Sequence, residues 1–139
     1  MDLSVIETEA LASINRVRVA CGVAELSEFL ASYPKYGHLC AVAQALRGAG
    51  IGVNLHVSAK EITGLDRSMI STVAAVWGVQ PHPQTLLGAI VGRTNLELPP
   101  EIATFIEAFD QGLFPHLEAT MPRQREIIHS APEYQLEIV

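Results

Sequence analysis

The sequence predicts a mainly helical α+β fold, with about six short helices, one clear central strand at 51–60 and a possible second strand at 134–139. Three observations lead there. Apolar residues recur at helical spacing through most of the chain, in stretches closed by Gly or Pro. From Ile51 to Lys60 the pattern switches to strict alternation. A brief alternation returns in Tyr134–Val139, beyond a looser segment opened by Pro122. The 139 residues suit one globular domain over 1–121, with 122–139 as a C-terminal arm or tail.

The first helix is expected from about Val5 to Cys21. Ser4 and Glu7 have the spacing of a capping box, and Ile6, Ala10, Ile14, Val17 and Cys21 form the apolar stripe. Gly22 follows, where a left-handed residue closes a helix. A shorter helix is expected over Glu25–Ser32, with Leu26, Phe29 and Leu30 on one face, stopped before Pro34. Leu39, Cys40, Val42, Ala43 and Leu46 define a third, ended by Gly48 and Gly50. After the strand, Thr63–Asp66 reads as a helix start for the stripe Met69, Ile70, Val73, Ala74 and Trp77, which stops at Gly78. Another helix is expected from about Pro83 to Val91. Pro99-Pro100-Glu101 then opens the next, because proline suits a first turn and Glu the positive end of the helix dipole. Ile102, Phe105, Ile106 and Phe109 line it, Gly112 ends it, and a short turn follows near Pro115–Ala119.

The strand raises a question of pairing. Ile51, Val53, Leu55, Val57 and Ala59 share one face, and His56 lies on the other. A lone strand leaves backbone donors and acceptors unsatisfied. The expected partner is the C-terminal tail, a second copy of the chain or another molecule. A dimer strand would use Val53, Leu55, His56 and Val57. Antiparallel self-pairing would set His56 against its own counterpart, so protonation would loosen the dimer as pH falls.

Composition limits the partners. The formal net charge of −6 opposes nonspecific binding to nucleic acid or to an anionic membrane. Charged residues are 17% of the chain, below the usual ~25%, which leaves more neutral surface for a partner to cover. The acidic start Met1–Glu7 lacks the features of a secretory signal, and no apolar run is long enough for a bilayer. Two cysteines are too few for a disulfide framework. These features predict a cytoplasmic protein.

Motifs with chemical content are sparse. The glycines at 48, 50 and 52 follow a helix and precede a strand, the reverse of a phosphate-binding loop. His38 and Cys40 sit two positions apart, which on a helix points them to different faces. Cys40 falls on an apolar stripe and reads as core, and the other histidines lack zinc spacing. No catalytic residue, metal ligand or cofactor is therefore assigned. Residues 69–92 resemble a repressor-type helix-turn-helix. That resemblance implies a DNA-binding regulator with base contacts from Gln80, Gln84, Thr85 and Arg93. The match departs from the pattern in its long turn with Pro81 and Pro83, and in the lack of Lys or Arg before Arg93. Glu97, Glu101, Glu107, Asp110 and Glu118 form an acidic stretch, a possible docking face for a basic protein. The sequence thus predicts a small non-enzymatic interaction or regulatory protein, self-associating as a homodimer. A helix-turn-helix regulator is the alternative, and a small enzyme using Cys40 or a histidine is a lesser one.

Overall fold

The computed structural model describes residues 2–83 and 94–119. Within them the fold is α+β, with four α-helices packed on a small antiparallel sheet. The helices are α1 (Leu3–Ala20), α2 (Ala41–Arg47), α3 (Ile70–Trp77) and α4 (Pro100–Asp110). The strands are β1 (His56–Val57), β2 (Glu61–Thr63), β3 (Pro81–Pro83) and β4 (Thr94–Glu97), in the order β1-β2-β4-β3. The expected strand at 134–139, the arm and most of the helix expected at 83–91 lie outside the described residues.

The helix α1 buries Ile6, Ala10, Ile14 and Val17, as its apolar spacing requires. Its cap differs from the expected capping box. The Asp2 carboxylate accepts both the backbone N–H and the hydroxyl of Ser4, so Asp2 is the N-cap and Ser4 lies inside the helix. Those bonds hold the Asp2 carboxyl below its ordinary range.

The helix expected over 25–32 does not form. The buried Asn15 of α1 donates its side-chain amide to the Leu26 carbonyl at 2.9 Å and accepts the Leu26 N–H at 2.8 Å. Both backbone groups of Leu26 are engaged by this side chain, which competes with a helical course. The segment runs on as a loop that drives Phe29 against Phe105, with ring centroids 4.6 Å apart. Phe109 and Phe114 pack on the same ring at 5.8 and 5.0 Å. Phe105 is fully buried, and burial of a side chain of this size contributes roughly 1.5–3 kcal/mol.

The strand expected over 51–60 is the main correction. It is an edge element of two residues, not a central strand of ten. Ile51, Leu55 and Val57 do face the core, but Val53 is 79% exposed. The chain bends between them where Gly52 and Gly64 meet. A Cβ on Gly52 would stand 2.5 Å from the Gly64 carbonyl, and one on Gly64 would collide with the Asn54 carbonyl. This approach lets the Asp66 N–H reach the Ile51 carbonyl at 2.8 Å. The missing strand partner is local: β1 turns through Ser58–Lys60 into β2, with His56 opposite Thr63 and Val57 opposite Ile62. Thr63 thus ends a strand instead of starting a helix, and α3 is preceded by a single 3-10 turn, Arg67–Met69.

The sheet register explains its two faces. Val57, Ile62, Leu96 and Pro81 are aligned across the four strands, and the first three are buried in the common core. The opposite face carries Glu61 directly across from Glu97. Two carboxylates so placed repel. Changing Glu97 to Lys is expected to raise unfolding stability by about 0.5–1 kcal/mol at low ionic strength, with the gain shrinking in salt. Substituting Asn15 with Ala is expected to cost about 2–4 kcal/mol in urea denaturation, because two buried backbone groups lose their bonds. A cost near zero would show that the loop has another anchor.

Candidate functional site

A cleft where several chemistry-bearing residues meet lies between the 35–40 loop, the β1–β2 hairpin and the end of α4. Its volume is about 200 Å³, and Lys35, Cys40, His56, Ser58 and Asp110 are among its lining residues. The loop enters through Pro34 and then Lys35, whose φ of 69° is left-handed for a residue with a side chain. Asp110 holds it there by accepting the Lys35 N–H at 2.8 Å. The loop then closes the outer side of β1. The Val57 N–H donates to the Gly37 carbonyl at 3.0 Å, and the His38 ring Nδ1 lies 2.7 Å from the Leu55 carbonyl. Arg47 secures the His38 carbonyl at 2.6 Å.

Cys40 forms the floor but is not poised for chemistry. It is the N-cap of α2, where its Sγ accepts the Ala43 N–H at 3.4 Å. Burial pushes its thiol up to about 11, and the bond from Ala43 only partly offsets this. His38 and Cys40 do not share a helix: His38 lies in a turn before α2. His38 instead meets His56, with ring centroids 4.9 Å apart and planes at 77°. Sequence spacing gave no sign of this pair, because its members lie on separate segments. Among the described residues, no three His, Cys, Asp or Glu side chains converge as a metal cluster would.

The other residues singled out from the sequence are dispersed. Val53 is at the exposed bend, Leu55 and Val57 are buried, and His56 is exposed on the edge strand. Among the acidic residues, Glu97 and Glu107 are exposed, while Glu101 accepts the Ser13 hydroxyl and lies 3.6 Å from Arg16. Asp110 serves Lys35, and Glu118 is the bridge partner of Ser32. The stretch is thus divided between structural contacts and solvent. For the helix-turn-helix resemblance, α3 ends at Gly78 with φ 67°, as expected. The chain then enters the sheet as β3 instead of turning directly into a second helix. Gln80 is exposed beside that turn, whereas Gln84, Thr85 and Arg93 lie outside the described residues. No helix among the described residues is long and apolar enough to cross a membrane.

Compared with known proteins, the chain matches no family model, no curated protein and no solved structure.

The buried thiol has a measurable consequence. Its folded value lies above the ordinary thiol value of about 9, so the stabilisation is fully present below pH 9 and is lost as pH rises toward 11. Across that window the thiol is expected to remove about 3 kcal/mol of stability in wild type. A Cys40→Ala variant should lack that part of the alkaline slope, although it starts lower through loss of the cap. Parallel slopes in the two proteins between pH 9 and 11 would contradict the assignment.

Proposed function

We propose that the chain is a small non-enzymatic interaction or regulatory protein that acts through protein–protein contacts as a homodimer. The observation that supports this reading is the outer stripe of α1. Val5, Ala12 and Val19 recur every seven residues and all are exposed, the two valines by 47% and 55%. Seven residues bring a helix back to nearly the same side, so the three share one line along a helix of 18 residues, about 27 Å long. Thr8 and Arg16 complete the line, and both are exposed.

That stripe is complementary to itself. A two-fold axis at Ala12 sets Val5 of one copy against Val19 of the other, at both ends of the contact. Thr8 then faces Arg16, with the exposed Glu9 beside it. Ala12 at the crossing allows the two backbones to approach. The β1 edge offers less, since the Gly37 carbonyl and the His38 ring already bond its outer side. Two copies joined through α1 would leave the 35–40 cleft available for a further contact.

Sedimentation equilibrium of wild type and Ala12→Glu tests the reading. Wild type is expected as a dimer and Ala12→Glu as a monomer with an unchanged circular dichroism spectrum, because Ala12 is exposed in the folded chain. A monomeric wild type removes the homodimer. A variant that remains dimeric removes α1 as its interface.

A further inference from the structure

The 33–40 loop and β1 bring two imidazoles together by independent means. The His38 ring is fixed by its Nδ1, 2.7 Å from the Leu55 carbonyl. A carbonyl oxygen can only accept, so Nδ1 carries the proton and the Nε2 of the neutral ring keeps its lone pair. A backbone-held Nδ1–H is the outer bond by which metal-ligating histidines are oriented. The Arg47 bond to the His38 carbonyl steadies the same residue from behind.

His56 is positioned by the strand and by Gly37. A Cβ at Gly37 would lie 2.5, 2.7 and 2.8 Å from the ring atoms Nε2, Cδ2 and Cε1. Nearly equal distances to three neighbouring ring atoms describe a contact with the ring face. An approach along the in-plane lone pair would instead make the two carbons much more distant than the nitrogen. Gly37 therefore supports the ring without covering the Nε2 lone pair. A larger residue at position 37 would displace it.

The separation also fits. With metal–nitrogen bonds of about 2.0–2.1 Å and an angle of roughly 90–109° at the ion, two ligating imidazoles have centroids about 4.5–5.2 Å apart. The His38 and His56 centroids are 4.9 Å apart, and both residues are exposed. We propose that His38 and His56 chelate one late first-row divalent ion, of the zinc, nickel or copper class, through their Nε2 atoms. Imidazole nitrogen suits these ions, whereas magnesium and calcium prefer oxygen. The buried Cys40 thiol remains in its cap and takes no part. Water fills the other coordination positions, so the site is an exchangeable one.

Calorimetric titration of the full chain with Ni²⁺, and separately with Mg²⁺, tests this. Wild type is expected to bind one Ni²⁺ more tightly than the background from His82, His116 and His129, and to show no Mg²⁺ binding there. His38→Asn and His56→Ala should each weaken Ni²⁺ binding by about tenfold or more, and the double variant should be no weaker than either single one. Asn at position 38 retains an N–H for the Leu55 carbonyl, so loss of binding is separated from loss of fold, and thermal melts of each variant check this. Ni²⁺ should also broaden the ring proton signals of His38 and His56 together. Unchanged affinity in either single variant overturns the proposal. So do losses that simply add in the double variant, since two rings acting separately do not form a chelate.

Discussion

The structure depends first on the two hydrogen bonds between Asn15 and Leu26. They are the point at which α1 dictates the course of the next twenty residues. A side-chain amide carries both N–H donors and an acceptor oxygen, so it can present the donor–acceptor pair that a neighbouring strand would offer. Leu26 donates its N–H to the amide oxygen, accepts the amide N–H at its carbonyl, and leaves the helical path. Phe29 can then reach Phe105, and Ser32 can bridge to the segment after α4 through the Leu117 and Ala119 backbones. The chain arrives at Pro34 in position to form the loop that shapes the cleft. Helical propensity alone would have carried residues 25–32 elsewhere.

The second constraint is how little sheet there is. Strands of two to four residues supply few ladder bonds, so side chains and loops do much of the joining. Trp77 donates its ring N–H to the Ser13 carbonyl at 3.0 Å, tying α3 to α1. Glu101 receives Ser13 from α1, tying α4 to the same turn. His116 reaches Glu7 at 2.8 Å near the start of α1. Each bond joins a different element to α1, which makes that helix the common support of the fold. Its inner face is occupied by these contacts, and the outer stripe of Val5, Ala12 and Val19 is left exposed.

The helices were largely legible because burial on one face leaves a direct periodic trace. That trace located α1, α2 and α4 to within a few residues; it placed the stripe and the Gly78 stop of α3 but set its start too early, at 63–66. The short strands left almost no trace. Glu61–Thr63 and Thr94–Glu97 are too brief for alternation to stand out, and β3 begins and ends with proline. Proline cannot donate to a ladder, so β3 is restricted to a sheet edge with His82 opposite Asn95 as its pairing residue. Residues 51–60 misled in the opposite sense. Their alternation is real at Ile51, Leu55 and Val57, but paired glycines at 52 and 64 bend the backbone where a strand would continue.

The cleft was legible in its parts and not in its assembly. Cys40 reads as a core residue from its stripe, and the structure adds that its sulfur caps α2. His38 and His56 are eighteen positions apart, with a helix and a bend between them, so no spacing rule joins them. Their meeting depends on the loop, and the loop has little regular structure of its own. Asp110 holds Lys35, Gly37 receives Val57, and Leu55 receives His38. The same few bonds therefore close the edge of β1 and aim the His38 ring. An edge strand closed in this way cannot add another strand at that point, and the residues that close it place two imidazoles in solvent. Protection of the edge and exposure of the histidine pair are one arrangement, so a change that frees β1 for pairing should also separate the rings.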